Sequence, residues 1–437
     1  MIHEDCELSG NAAKNSSAKS IQKRVILSAS IGTVLEWYDF AIYAFLAAVF
    51  AKLFFQNLAP TVALMFSYGV FAIGYIARPI GAMLFGHLGD TQGRQKSLSI
   101  TLLLMAAATF GIGLLPSYET VGIVAPILLV ILRLLQGIAI GGESFGSVCF
   151  TIESIPPKRT GFYSALVWSS SSTGMLLASV VVFITFVLFK GNSLYTFGWR
   201  LPFLLAALGG VIGSYVRYKT SETPVFQCLV RDSLVAKFPL KTIFLSHKSL
   251  VAQLFGLYLL SALITYIAFI FMPVYFSDVL GHSRVSANTV NTVMLVSVVV
   301  LFVFSGFLSD KIGRKPIMLT AACGFAILSY PLYCFISHGN IVELIIAQSV
   351  FTLLSAGFQG PLMALTIDLI PVNIRYSLGS LSYNLAYSIF GGTVPLVAMF
   401  LITKTHNVAM PGLYLAAGAA VAILSLLFSK VNLPNSV

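Results

Sequence analysis

Apolar stretches of membrane-crossing length recur twelve times along the chain, near residues 25–54, 62–85, 97–115, 122–150, 162–189, 199–218, 249–276, 287–308, 316–336, 341–368, 376–403 and 408–429. Each is bounded by charge, proline or glycine. A helix needs about 20 apolar residues to cross roughly 30 Å of hydrocarbon, and lipid offers no partners to the free backbone groups of an open sheet. The pattern therefore predicts an all-α membrane protein with twelve transmembrane helices. The longest polar interval, 220–248, carries Arg231, Lys237, Lys241 and Lys248 near mid-chain and reads as a linker. It separates two six-helix halves, 25–219 and 249–430, with polar tails at 1–24 and 431–437.

A polar pattern repeats too. Gly86-His87-Leu88-Gly89-Asp90-Thr91-Gln92-Gly93-Arg94 returns half a chain later as Gly306-Phe307-Leu308-Ser309-Asp310-Lys311-Ile312-Gly313-Arg314. Each copy follows the second helix of its half, as in parallel repeats. Composition sharpens the membrane reading: 57% of the 437 residues are hydrophobic, 9% are charged, and mean hydropathy is +0.91. A soluble chain carries about 25% charged residues.

The formal charge of +11 sits between apolar runs and forms no basic stripe, so it points to membrane topology and not to nucleic acid. With the amino terminus inside, only Lys52, Lys190, Arg200, Arg284 and Lys404 fall outside, and Arg78 and Arg133 lie within helices. That distribution obeys the positive-inside rule. An even number of spans then returns the carboxyl terminus to the cytoplasm, giving a multi-pass protein of the inner (plasma) membrane. Residues Met1 to Arg24 include Glu4, Asp5 and Glu7 and do not resemble a cleavable signal, so the first helix is expected to stay. The five cysteines form no CxxC pair, and neither a disulfide framework nor a metal site is expected. No phosphate-binding glycine loop with its lysine, HExxH or nucleophile elbow occurs, so no enzyme and no cofactor is expected.

The twofold G-x-L-x-D-x-x-G-R pattern resembles the loop signature of the major facilitator superfamily. Further strings resemble its metabolite:proton symporter family: Glu36-Trp37-Tyr38-Asp39-Phe40, Ala77-Arg78-Pro79-Ile80-Gly81, Arg133-Leu134-Leu135-Gln136-Gly137 with Gly141-Gly142-Glu143, Gly198-Trp199-Arg200-Leu201-Pro202-Phe203, and Pro371 with Arg375-Tyr376. Proline/betaine, dicarboxylate, citrate and shikimate transporters belong to that family. Thr91 stands where a basic residue is common, and Asp368 where glutamate is more frequent. The resemblance implies the major facilitator fold and a cytoplasmic gate latched by Gly86, Asp90, Gly93, Arg94, Gly306, Asp310, Gly313 and Arg314.

Intramembrane charge costs at least about 2.5–3.5 kcal/mol at a helix centre and calls for partners. Counting about 1.5 Å per residue places Glu36 and Asp39 near mid-bilayer, and either is a candidate to take up a coupling proton. The alternative is a permanent ion pair with Arg133 or Arg78 that locks helix packing. Arg133 itself reads either as a coupling or substrate residue or as an assembly contact, with Gly137 and Gly141 letting a neighbouring helix approach. Glu143, Glu153 and Arg159 read as a structural network at the cytoplasmic end of the fourth helix. Trp37, Tyr38, Tyr43, Arg78, Tyr258, Tyr266, Tyr383, Asn384 and Tyr387 are candidates to line a substrate site, the aromatic rings offering cation–π contacts.

These features predict proton-coupled uptake of a small organic metabolite by alternating access around a midplane site. Aromatics and carboxylates with few basic groups favour a proline- or betaine-like zwitterion. A di- or tricarboxylate remains as an alternative that Arg78 and Arg133 can receive. Drug/proton antiport is disfavoured because the fifth helix reads Trp168-Ser169-Ser170-Ser171-Ser172-Thr173-Gly174, without the Gly-Pro motif of efflux relatives. A non-transporting sensor would add a soluble signalling domain. The expected partners are the metabolite, protons and the bilayer, with no nucleic acid and no partner protein.

Overall fold

A computed structural model describes residues 15–429. Most of both expected tails, with Cys6 and Lys430, lies outside the described residues. Twelve helices among these residues are long and apolar enough to span a membrane: α1 (Gln22–Phe45), α2 (Val62–Gln92), α3 (Arg94–Leu114), α4 (Val124–Ile152), α5 (Pro157–Leu188), α6 (Gly198–Tyr218), α7 (Lys248–Ser277), α8 (Ser286–Ile312), α9 (Arg314–Ile336), α10 (Ile341–Leu369), α11 (Val372–Thr405) and α12 (Met410–Leu427). No strand occurs among the described residues. The first span is shorter than its apolar run suggests. Helix geometry breaks at Leu46, and Ala47–Phe54 forms a separate short helix whose buried face packs with Tyr43, Trp199 and Phe203. Hydropathy continues smoothly across that break, so it left no mark on the apolar pattern.

The repeated loop has a backbone cause. The chain turns between α2 and α3 at Gly93 (φ 117°) and between α8 and α9 at Gly313 (φ 102°). Both values lie where a Cβ is disfavoured, so one glycine at each site ends one helix and starts the next with a single residue between them. Elsewhere helices deviate where the sequence interrupts them. The α7 backbone widens into π-helical turns at Ile264–Phe271 and Tyr275–Val279, on either side of Pro273. The α11 backbone widens at Tyr387–Gly391 and breaks at Gly392-Thr393 before Val394.

The chain divides into two compact units that do not follow chain order strictly. The first contains the chain up to Ile155, Ser170–Leu240 and Val372–Leu381. The second contains Pro156–Ser169, Lys241–Pro371 and Ser382–Val437. Each unit has thus taken in the opening turns of a helix, α11 in the first and α5 in the second, whose remainder belongs to the other.

Within the first unit, α2 and α4 cross at close range because Gly81, Gly137 and Gly141 have no side chains. A methyl on Gly137 would overlap the Gly74 carbonyl, and one on Gly141 the Arg78 carbonyl. This backbone contact holds the Arg78-bearing and Arg133-bearing faces at fixed separation beside α1. The interval after α6 is not an open coil: Thr223 caps a helix at Pro224–Arg231 through the Phe226 N–H, and a second helix runs from Pro239 to Ser246.

Candidate functional site

Three groups of polar side chains stand out, two in the first unit and one in the second. On α1, Glu36 is 2% exposed and ion-paired with Arg78 at 3.5 Å. The Ser144 hydroxyl donates to the same Glu36 oxygen, and Arg78 donates to Ser144 at 3.4 Å while lying 5.4 Å from the Tyr75 ring centre. A narrow hollow with no room for a water molecule is lined by Glu36, Trp37, Phe40, Arg78 and Ile140.

One turn along α1, Asp39 is 3% exposed and linked differently. Arg133 donates to the Gln136 carbonyl oxygen (2.9 Å), the Gln136 amide donates to Thr109 (2.7 Å), and the Thr109 hydroxyl donates to Asp39 (2.6 Å). A relay of neutral groups therefore joins guanidinium to carboxylate; the direct ion pair kept as the alternative in the sequence reading forms between Glu36 and Arg78 and not here. Arg133 is further held by the Phe71 carbonyl and by the faces of Tyr43 (4.3 Å), Phe71 (5.4 Å) and Phe40 (5.5 Å). Burying a guanidinium among rings offsets part of its lost hydration.

Buried polar atoms almost always find a hydrogen-bond partner. Three atoms on this stretch of α1 do not: Glu36 Oε2, Trp37 Nε1 and Asp39 Oδ1. Two are acceptors and one is a donor. The neighbouring tyrosines are committed, Tyr38 to the Pro202 carbonyl and Tyr43 to the Ser67 carbonyl.

In the second unit, Tyr258, Tyr383 and Tyr387 come together. The Tyr383 ring lies 5.4 Å from Tyr258, 4.5 Å from Tyr387 and 5.7 Å from Trp168. Tyr258 donates to Thr366, Tyr387 shares a hydrogen bond with Ser261, and Ser261 donates to Gln359. Asn384 is fully buried on the same helix. The Tyr266 ring backs onto Gly391, where an added methyl would come within 3.1 Å. Thr109, Gln136, Ser144, Trp168, Ser261 and Gln359 were missed by sequence reasoning. Apart from Trp168 they are neutral polar residues common in any helix; Gln136 and Trp168 sat in strings already singled out, though for other reasons.

The loop signature builds a third constellation. Asp90 accepts the backbone N–H groups of Tyr376 (3.1 Å) and Ser377 (2.8 Å) and pairs with Arg94 at 3.3 Å. Arg94 also donates to Glu153 (3.0 Å), to the Gly89 carbonyl and to the Val372 carbonyl. Glu153 further receives Arg375 (3.0 Å) and the Thr223 hydroxyl. Burial works to raise the Glu153 pKa, but the Arg94 and Arg375 guanidiniums outweigh it and hold the carboxyl below its ordinary value. Arg159, expected in this network, is exposed; Arg94 and Arg375 supply the cations. Glu143 instead pairs with Arg217 at 2.8 Å. In the second copy, Asp310 accepts from Gly161 (2.8 Å) and Phe162 (2.9 Å), while Arg314 pairs with Asp368 and donates to the Thr160 hydroxyl. Cys149, Cys323 and Cys334 are free thiols; Cys228 is disulfide-bonded, against the expectation of no disulfide, since a single cross-link needs no CxxC spacing.

Twelve membrane-length helices, a repeated helix-turning loop and buried charge define a polytopic membrane protein. The profile of the sugar (and other) transporter family matches residues 25–253, and that of the major facilitator superfamily matches 254–436. The proline/betaine transporter of Escherichia coli (strain K12) is 33% identical over 414 residues, covering 92% of this chain and 82% of that protein. The glycine betaine/proline/ectoine/pipecolic acid transporter OusA of Dickeya dadantii is 32% identical over 417 residues, covering 93% and 83%. Among solved structures, the proton:xylose symporter XylE bound to 6-bromo-6-deoxy-D-glucose superposes with a TM-score of 0.78 at 20% identity, covering 94% of this chain and 95% of that one, a likeness of fold. The chain belongs to the major facilitator superfamily, among its metabolite:proton symporters. It is a membrane transporter, as its curated relatives are named.

Proposed function

We propose that the protein takes up a proline- or betaine-like zwitterion together with a proton, and that Asp39 is the residue that carries the proton. The observation that carries this reading is the run of unpaired buried polar atoms at Glu36, Trp37 and Asp39 on α1. A carboxylate oxygen with no partner is where a proton can be added without breaking a bond the fold depends on. Glu36 is charge-compensated by Arg78, whereas Asp39 faces a neutral threonine. Proton uptake at Asp39 therefore changes the local charge more. Arg133 senses that change through Gln136 and Thr109.

For the substrate, the grouping of Trp168, Tyr258, Tyr383 and Tyr387 in the second unit supports recognition of an ammonium or iminium group. Each ring is worth roughly 0.5–2 kcal/mol in cation–π contact. The names of the E. coli and Dickeya relatives point the same way. A di- or tricarboxylate is less well supported because Arg78 and Arg133 already have internal partners. The Lys and Arg distribution supports cytoplasmic termini, and the loop cluster of Gly86, Asp90, Gly93 and Arg94, with its second copy at Gly306, Asp310, Gly313 and Arg314, is assigned to the cytoplasmic gate.

The test is uptake into proteoliposomes of proline, glycine betaine, 2-oxoglutarate, citrate and shikimate under an imposed pH gradient. Accumulation of proline or betaine that collapses with the gradient is expected. Asp39→Asn should abolish gradient-driven accumulation while retaining exchange of substrate across the membrane. Accumulation that persists in both Asp39→Asn and Glu36→Gln removes the carboxylates from coupling, and accumulation of the acids alone replaces the substrate class.

A further inference from the structure

The short helix Pro239–Ser246, ahead of α7, has a role that transport chemistry does not explain. Its inward face is fixed by Ile243, which is fully buried. Its outward face carries Lys241, Phe244 and Leu245, at the i, i+3 and i+4 spacing that puts three side chains on one helical stripe. Phe244 is 49% exposed and Leu245 67% exposed. Two large apolar side chains held outward beside a lysine would be a liability against water.

The next membrane span begins at Lys248, also exposed. Leu245 is three residues from it, a reach of roughly 10 Å along an extended chain. Chain continuity therefore keeps the stripe at the depth where headgroups meet acyl chains. Apolar side chains flanked by lysines suit that boundary, because the rings and branches enter the acyl region while the ammonium groups meet phosphate.

We propose that this face is an interfacial anchor for anionic lipid: Phe244 and Leu245 insert into the leaflet, and Lys241 and Lys248 hold the phosphates of negatively charged headgroups. The inference goes beyond the transport reading and does not depend on the identity of the transported solute. Basic residues beside a membrane span gain most from anionic lipid, about fivefold in local enrichment per lysine at moderate salt.

The full-length protein is reconstituted in mixed liposomes containing either nitroxide-labelled phosphatidylglycerol or nitroxide-labelled phosphatidylcholine, and Leu245→Trp serves as reporter. The signal is the emission added to that of the parent's three tryptophans. The expected result is quenching by both lipids, several-fold stronger by phosphatidylglycerol. That preference should fall in each of Lys241→Gln and Lys248→Gln and be lost when both are combined, and it should shrink as salt is raised. Equal quenching by the two lipids overturns the anionic selectivity, and absence of quenching overturns insertion. Phe244→Trp gives an independent reporter should the first variant fail to accumulate, with the same two outcomes.

Discussion

The two copies of the loop signature share five residues of a nine-residue pattern and one backbone device, yet they are built into different surroundings. In both, a glycine with positive φ joins two helices, and the aspartate accepts two successive N–H groups at the opening of another helix. In both, the residue after the arginine satisfies carbonyls at a helix end: Gln95 reaches Arg217, and Lys315 reaches Ser429. The first copy, however, is sealed. Asp90, Arg94 and Glu153 are fully excluded from solvent and share one charge network. The second is partly open, with Arg314 17% and Asp368 34% exposed. Shared sequence therefore specifies the backbone clasp, and the surroundings decide how much each clasp weighs.

Charge removal should expose that difference most. Glu153→Ala leaves Arg94 and Arg375 buried without their shared anion, and a stability loss of about 3–5 kcal/mol is expected, as for breaking any buried pair on one side. Asp368→Ala in the second copy removes a pair that water screens, for a loss of at most about 1 kcal/mol. Thermal melting of the purified protein in detergent measures both. Equal losses would mean that the two clasps carry equal weight, whatever their burial.

Steric exchange tests the same contrast at smaller scale. The Tyr376 ring lies against Gly89 and its hydroxyl donates to the Gly142 carbonyl, whereas in the second copy Ser309 replaces Gly89 and Gly161 occupies the place of Tyr376. Each copy thus pairs one small residue with a larger one, in opposite senses. Gly89→Ala would push a methyl into the ring, at an expected cost of about 1–3 kcal/mol. In a Tyr376→Ala background that cost should nearly vanish, since residues in contact are not additive. Full additivity in the double-mutant cycle would show that the ring and the glycine do not constrain each other.

This pairing also marks where sequence reading stops. The twelve spans were legible because about 20 apolar residues must lie in a row to cross a bilayer, and the loop glycines because only a residue without Cβ tolerates their φ. The break at Leu46 was not, since Leu46 and its neighbours are apolar on both sides. Nor was it legible that Tyr376 meets Gly89 or that Gly161 meets Asp310, because each contact joins residues far apart in the chain. At α1, charge drew attention to Glu36, Asp39 and Arg133. The relay that links two of them runs through Gln136 and Thr109, whose neutral side chains occur in helices for many reasons.

The smallest expected effect concerns a residue for which the second copy offers no described counterpart. Glu222 accepts the N–H groups of Arg94 (3.1 Å) and Gln95 (3.0 Å) and so caps the start of α3. Burial raises its pKa above the ordinary 4.5, and the backbone donors of Thr223, Gln95 and Arg94 together with the Arg94 charge only partly restrain the rise. A carboxyl with a raised folded pKa binds its proton more tightly when folded, so its contribution to stability is greatest below 4.5 and is lost as pH climbs through the raised value. Glu153, held low by two guanidiniums, has the opposite sign and loses its contribution as pH falls below 4.5. Glu222→Gln keeps one acceptor oxygen and cannot ionise. Relative to the unaltered protein, it should melt at its most favourable temperature near pH 7, and that advantage should narrow as pH falls toward 5. An advantage that grows on acidification would mean that the ionised carboxylate, and not its protonated form, is what the first clasp holds best.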